Sequence, residues 1–160
     1  MISVAGSGVA RRSQVALRSG GRPGDLLFVT GKLGGSQGGR HLTFIPRLEE
    51  ADWLSRNFRI HAMMDLSDGL AMDLPRLASA SGCGFRLERS ALPRSRGATV
   101  EEALRDGEDY ELLFAISERS SPKLLAEWAE RFPRLKLTPI GALSPEGTEG
   151  LSGGWDHFRE

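Results

Sequence analysis

A single cysteine, Cys83, stands in the 160 residues, which excludes an internal disulfide and a cysteine-built metal site and makes a reducing compartment the simplest setting. No apolar run approaches the length of a membrane-crossing helix, so a bilayer-spanning segment is not expected. Neither sign of charge is in excess, with 21 Lys plus Arg against 21 Asp plus Glu, which removes the electrostatic reason to expect nucleic acid or an anionic membrane as partner. Small phosphorylated ligands need only a local field and are not excluded. No internal repeat and no low-complexity tract occurs. What is present, 39% apolar and 26% charged residues, is the composition of a globular domain, and the length fits a single domain over 1–160.

The most informative stretch is Met63-Met64-Asp65-Leu66-Ser67-Asp68-Gly69-Leu70, where a strand end runs into Ser-Asp-Gly and then a helical pattern. Such a corner collects backbone N–H donors, and two carboxylates three residues apart can share a hard cation that bridges phosphate oxygens. In isolation Ser-Asp-Gly is also an ordinary turn and helix start, with Ser67 or Asp68 as the cap. A second acidic stretch, Asp106-Gly107-Glu108-Asp109-Tyr110-Glu111, crowds the entrance to an apolar strand written Leu112-Leu113-Phe114. The glycine-rich run from Gly31 to Gly39 has neither the P-loop order nor the dinucleotide spacing, and it reads as a structural turn.

Periodicity places strands at 26–30, 85–88, 110–116 and 135–141, and a weaker candidate within 1–10. Helices are expected from Pro46 to Leu54 with Leu48, Ala51 and Leu54 on one face, over 69–81 ending at Gly82, over 100–104 with Thr99 as N-cap, and from Ser120 or Ser121 to Phe132. Pro75 should kink the second of these unless it falls in the first turn. Asp73, on that helix, reads as a surface or supporting carboxylate. The aromatic stripe ending at Trp128 and Phe132 reads as core.

Asp-Leu-Ser-Asp-Gly-Leu (65–70), Ala-Ser-Gly-Cys-Gly (80–84), Ala-Leu-Pro (91–93) and Gly-Glu-Asp-Tyr-Glu-Leu-Leu-Phe (107–114) together resemble the C-terminal half of the thiamine-monophosphate kinases, in the aminoimidazole ribonucleotide synthetase superfamily. Arg18-Ser19-Gly20 followed by Pro23-Gly24-Asp25, and the closing Gly-Trp-Asp-His-Phe at 154–158, belong to the same resemblance. That makes the arginine-rich N-terminal segment part of the domain rather than a transit peptide. The helical hairpin that the family carries between the glycine-rich loop and the Ser-Asp-Gly corner is shortened here.

The resemblance implies an α+β domain, a layered mixed sheet of about four main strands with packed helices. It implies Asp65 and Asp68 as magnesium ligands, Arg18 and Ser67 as ATP contacts, and Glu108 and Trp155 as contacts to thiamine monophosphate. The reaction implied is phosphorylation of thiamine monophosphate to thiamine diphosphate with ATP as co-substrate, in the cytoplasm and as a homo-oligomer. No residue has the look of a covalent nucleophile, which suits direct transfer. The family's N-terminal domain, which carries most of the acidic ligands, has no counterpart in this sequence, so an incomplete catalyst is expected. A non-catalytic remnant or interaction module of the same fold, or a superfamily relative with another acceptor such as a hydrogenase maturation factor or selenophosphate synthetase, stands beside this reading.

Overall fold

The chain is described by a computed structural model that covers residues 5–9, 11–147 and 151. Five strands, β1 (Asp25–Thr30), β2 (Ala62–Asp65), β3 (Gly84–Leu87), β4 (Leu112–Ser117) and β5 (Leu137–Ser144), form one sheet in the order β2-β4-β1-β5-β3. Among the described residues each pairing is antiparallel, and one parallel bridge, Leu33 with Arg94, lies outside the named strands. The α+β class is as expected. β2 is the fifth strand, recovered from what the sequence offers only as a strand end.

β1 reads as an unbroken apolar run because helices cover both faces of the sheet. Leu27 and Val29 point with Leu113 and Ala115 toward α2 (Leu70–Ala80) and α3 (Val100–Arg105). Phe28, Phe114 and Ile116 point the other way, against Leu54 of α1 (Leu48–Asn57) and Leu124 and Trp128 of α4 (Ser121–Arg131). Alternate residues of a strand face opposite sides, so a strand sandwiched between helices needs apolar residues at every position. Trp128 is core, as its spacing predicts, and its indole N–H donates to the Leu135 carbonyl at 2.7 Å.

Several local expectations shift. Leu48 is exposed rather than on the buried face of α1, which is instead made by Leu54 with Ala51 and Trp53. Pro75 sits inside α2, which runs on through it to Ala80. β4 starts at Leu112 and not at Tyr110, because Glu108 (φ 62°) and Tyr110 (φ 51°) are left-handed and cannot continue a strand. Residues 5–9, the described part of the candidate strand at 1–10, form none.

One end of the sheet gathers the loops that matter. The glycine-rich loop leaves the end of β1, the Ser-Asp-Gly corner leaves the end of β2, and the acidic stretch enters β4. All three therefore meet at the same edge of the fold.

Candidate active site

The corner is fixed by a buried carboxylate. Asp73, wholly inaccessible in the first turn of α2, accepts the N–H groups of Ser67 and Asp68 on one oxygen, both at 3.0 Å, and Arg76 on the other at 2.9 Å. Arg76 also ion-pairs with Asp68, so Asp68, Asp73 and Arg76 form one network. Burial raises the Asp73 pKa above its ordinary value despite the two N–H groups and Arg76, which pull it down. Gly69, at φ 94°, makes the corner possible: a Cβ there would stand 3.0 Å from the backbone carbonyls of both Arg105 and Asp106.

Asp65 ends β2 with its side chain exposed, and among the described residues it makes no hydrogen bond or ion pair. The acidic stretch is tied to the corner by its backbone: Glu108 N–H donates to the Ser67 carbonyl at 2.7 Å, Tyr110 N–H to the Leu66 carbonyl at 2.8 Å, and Leu66 N–H to the Glu111 carbonyl at 2.8 Å. The left-handed turns at Glu108 and Tyr110 let the segment follow the corner while sending the Glu108 side chain to solvent. Asp65, Asp68 and Glu108 then share a neighbourhood. All three carboxylates act on the Tyr110 hydroxyl, whose pKa is raised by burial first and then by Glu108, Asp65 and Asp68. Tyr110 in turn stacks on Phe44, ring centroids 4.2 Å apart, which puts an aromatic pair beside the acids.

The rest of the acidic stretch holds the glycine-rich loop. Asp109 takes the Gly34 N–H, at 3.1 and 3.0 Å to its two oxygens, and the Ser36 hydroxyl, while Asp106 takes the Gly35 N–H at 2.7 Å. Glu111, nearly buried, accepts both Arg47 at 2.7 Å on each oxygen and the Thr30 hydroxyl at 2.8 Å. The loop amides that would suit a phosphate are thus occupied by the chain's own carboxylates. Its structural role is as expected.

The structure brings together four of the six expected residues: Asp65, Ser67, Asp68 and Glu108. Arg18 is exposed, and its carbonyl lies by Ser81 just past the end of α2, whereas the corner sits at that helix's start. A helix of 11 residues rises about 16 Å, so the two are well separated within the chain. Trp155 lies outside the described residues. The sequence offers Asp73 only as a surface or supporting carboxylate, and it is the buried support of the corner; Arg76 and the Phe44–Tyr110 pair carried no expectation. An acid in the first turn of a helix that begins at Ser-Asp-Gly was the available signal for Asp73.

As a cation site the corner offers two carboxylates, and no cluster of three or more His, Cys, Asp or Glu that could hold a metal occurs among the described residues. That donor set suits magnesium, which takes one or two carboxylates and fills its shell with water and phosphate oxygens. No helix among the described residues is long and apolar enough to cross a membrane.

Comparison with known proteins identifies the family and the fold. The family described as AIR synthase related protein, C-terminal domain, matches residues 32–153. A thiamine-monophosphate kinase of Rhodopirellula baltica is 45% identical over 111 residues, covering 63% of this chain and 35% of its own length. The crystal structure of thiamine-monophosphate kinase from Stenotrophomonas maltophilia superposes with a TM-score of 0.77 at 27% identity, over 87% of this chain and 53% of the other. A structure described as AaThiL complexed with AMPPCP and TMP superposes with a TM-score of 0.67 at 29% identity, over 89% of this chain and 54% of the other. The chain spans about half the length, or less, of these proteins.

Proposed function

Because the chain belongs to the AIR synthase related protein family, by its C-terminal domain, we propose that it is the nucleotide- and substrate-contacting C-terminal half of a thiamine-monophosphate kinase. The reaction is transfer of the γ-phosphoryl group of ATP to the phosphate of thiamine monophosphate: a new P–O bond forms to the acceptor oxygen, the bond to the β-phosphate oxygen breaks, and thiamine diphosphate and ADP leave. The observation that carries the proposal is the tethering of Glu108 onto the Asp65–Ser67–Asp68 corner, which brings an exposed third carboxylate beside the two of the corner.

In this reading Asp65 and Asp68 hold magnesium, which when bound neutralises phosphate charge. Ser67 contacts ATP at a backbone already fixed by Asp73. Glu108, exposed and beside Tyr110, faces the cationic thiamine, and Trp155, outside the described residues, supplies an indole of the kind that pairs with such a ring. Phosphoryl transfer asks for alignment and charge neutralisation rather than covalent help, so residues of these kinds suffice on this side of the site. Arg18 contacts ATP from outside the corner. The remaining ligands come from an N-terminal domain or partner chain, and 1–160 acts as one domain of a cytoplasmic homo-oligomer.

Two carboxylates alone hold magnesium weakly, which favours as second reading a remnant that keeps the fold without the activity. The test is formation of thiamine diphosphate from Mg-ATP and thiamine monophosphate, with the chain alone, with Asp65→Ala, and with an N-terminal half from an intact relative. Activity that needs the added half and disappears with Asp65→Ala supports the split-site reading. Silence in every combination favours the remnant and sinks the kinase assignment.

A further inference from the structure

A second site lies away from the acidic corner. Beside the glycine-rich loop is an open cavity of about 590 Å³ whose lining includes three cationic residues from three separate segments: Lys32 just after β1, Arg94 in the loop after β3, and Lys136 just before β5. Ser95 adds a hydroxyl, Ala98 adds an apolar surface, and none of the lining residues is acidic; the Thr99 hydroxyl is already committed to Glu102. In a chain of zero net charge this is a local concentration of one sign. The walls are built rather than incidental. Leu33 N–H donates to the Pro93 carbonyl at 2.7 Å and Ser95 N–H to the Leu33 carbonyl at 2.9 Å, which bind the 92–95 loop to the segment that carries Lys32. Gly31 N–H donates to the Lys136 carbonyl at 2.8 Å, which fixes the third cation against the first, and the Arg94 guanidinium is steadied by the Ala98 carbonyl at 3.1 Å.

We propose that this cavity binds the phosphate of a small phosphomonoester, with the organic body of the ligand against the apolar part of the lining around Ala98. Lysine and arginine supply the charge-assisted donors that a phosphate dianion needs. The cavity is of the size that takes whole small molecules, far larger than a bare phosphate ion, and part of its lining is apolar, so the ion alone would leave most of it unused. It is distinct from the corner. α3 lies between them, with Thr99 lining the cavity at its start and the Arg105 and Asp106 carbonyls pressing on Gly69 at its far end. The inference does not depend on the kinase reading, since neither Asp65, Asp68 nor Glu108 takes part.

The test is a titration of the ¹⁵N-labelled full chain, followed by amide shifts, with AMP, with inorganic phosphate, and with sodium chloride at matched ionic strength. Saturable shifts with AMP centred on Lys32, Ser95, Thr99 and Lys136, with weaker binding of inorganic phosphate, are expected. Lys32→Glu combined with Lys136→Glu should weaken AMP by about tenfold or more, and the Gln pair should fall between. Both lysines are exposed, and an unchanged spectrum outside the cavity verifies that the variants fold. Shifts that match sodium chloride, that centre on residues 65–68, or that persist unweakened in the Glu pair overturn the site. Equal affinity for AMP and inorganic phosphate would make the ligand the free ion and overturn the ester.

Discussion

Replacing Asp73 by alanine removes the group on which the corner hangs. Two N–H groups, of Ser67 and Asp68, lose their acceptor, and hydrogen bonds to a charged group are worth about 1.5–3 kcal/mol each. Three things reduce the sum. The corner is half-buried, so water reaches part of it; the cost of burying a carboxylate is relieved; and Arg76, 40% exposed, contributes little through its pair with Asp73. The net expectation is a loss of about 2–3 kcal/mol. With a urea slope of about 1–3 kcal/mol/M for a small domain, the unfolding midpoint should fall by about 1 M or more at unchanged slope. Asp73→Asn keeps one oxygen for the two N–H groups and discards the buried charge, so it should cost about 1 kcal/mol or less. A midpoint for Asp73→Ala indistinguishable from the parent, or equal losses for Ala and Asn, would refute the view that this side chain works as an acceptor for the corner.

The same residue gives a pH signature. Its folded pKa is raised above the ordinary 3.8, so the folded state binds the extra proton and stability falls as pH rises from about 4 to that folded pKa. Asp73→Asn should lack that falling leg in urea titrations at stepped pH. Glu111→Gln breaks the bidentate pair between Glu111, 4% exposed, and Arg47, 19% exposed, and disturbs Thr30, and should cost about 2–3 kcal/mol in the same denaturation assay. Thr99→Ala dismantles the capping box with Glu102 and should cost about 1 kcal/mol. Hydrogen exchange of α3 reports it locally, by faster exchange in that helix than elsewhere.

The helices over 70–80 and 121–131, the Thr99 cap and the strands around Phe28 and Phe114 were legible because their signals are local: spacing, a capping residue, an apolar run. The corner was legible as a motif. The order of strands was not, because antiparallel partners on β1 come from residues far along the chain and nothing in a strand's own composition names its neighbour. The carboxylates at 106, 109 and 111 looked alike in the sequence, yet they divide into clamps for the loop and for Arg47, while Glu108 between them faces out. That division follows from two left-handed residues, Glu108 and Tyr110, neither of them glycine. Leu48 differs for another reason: Ala51 and Leu54 of the expected face do pack inward, but Leu48 is the first residue of the helix and stays exposed.

The central place of β1 has a consequence for how the protein is made. Both of its neighbours, β4 and β5, are encoded in the second half of the chain. During synthesis β1 therefore leaves the ribosome with two open edges and an apolar centre, Leu26 to Val29, and about half of the 160 residues must follow before either edge can be covered. Closing such long loops is slow, and exposed strand edges associate with one another. The nascent chain is thus most vulnerable in the interval between the appearance of β1 and the arrival of β5, and dependence on chaperones should be concentrated there.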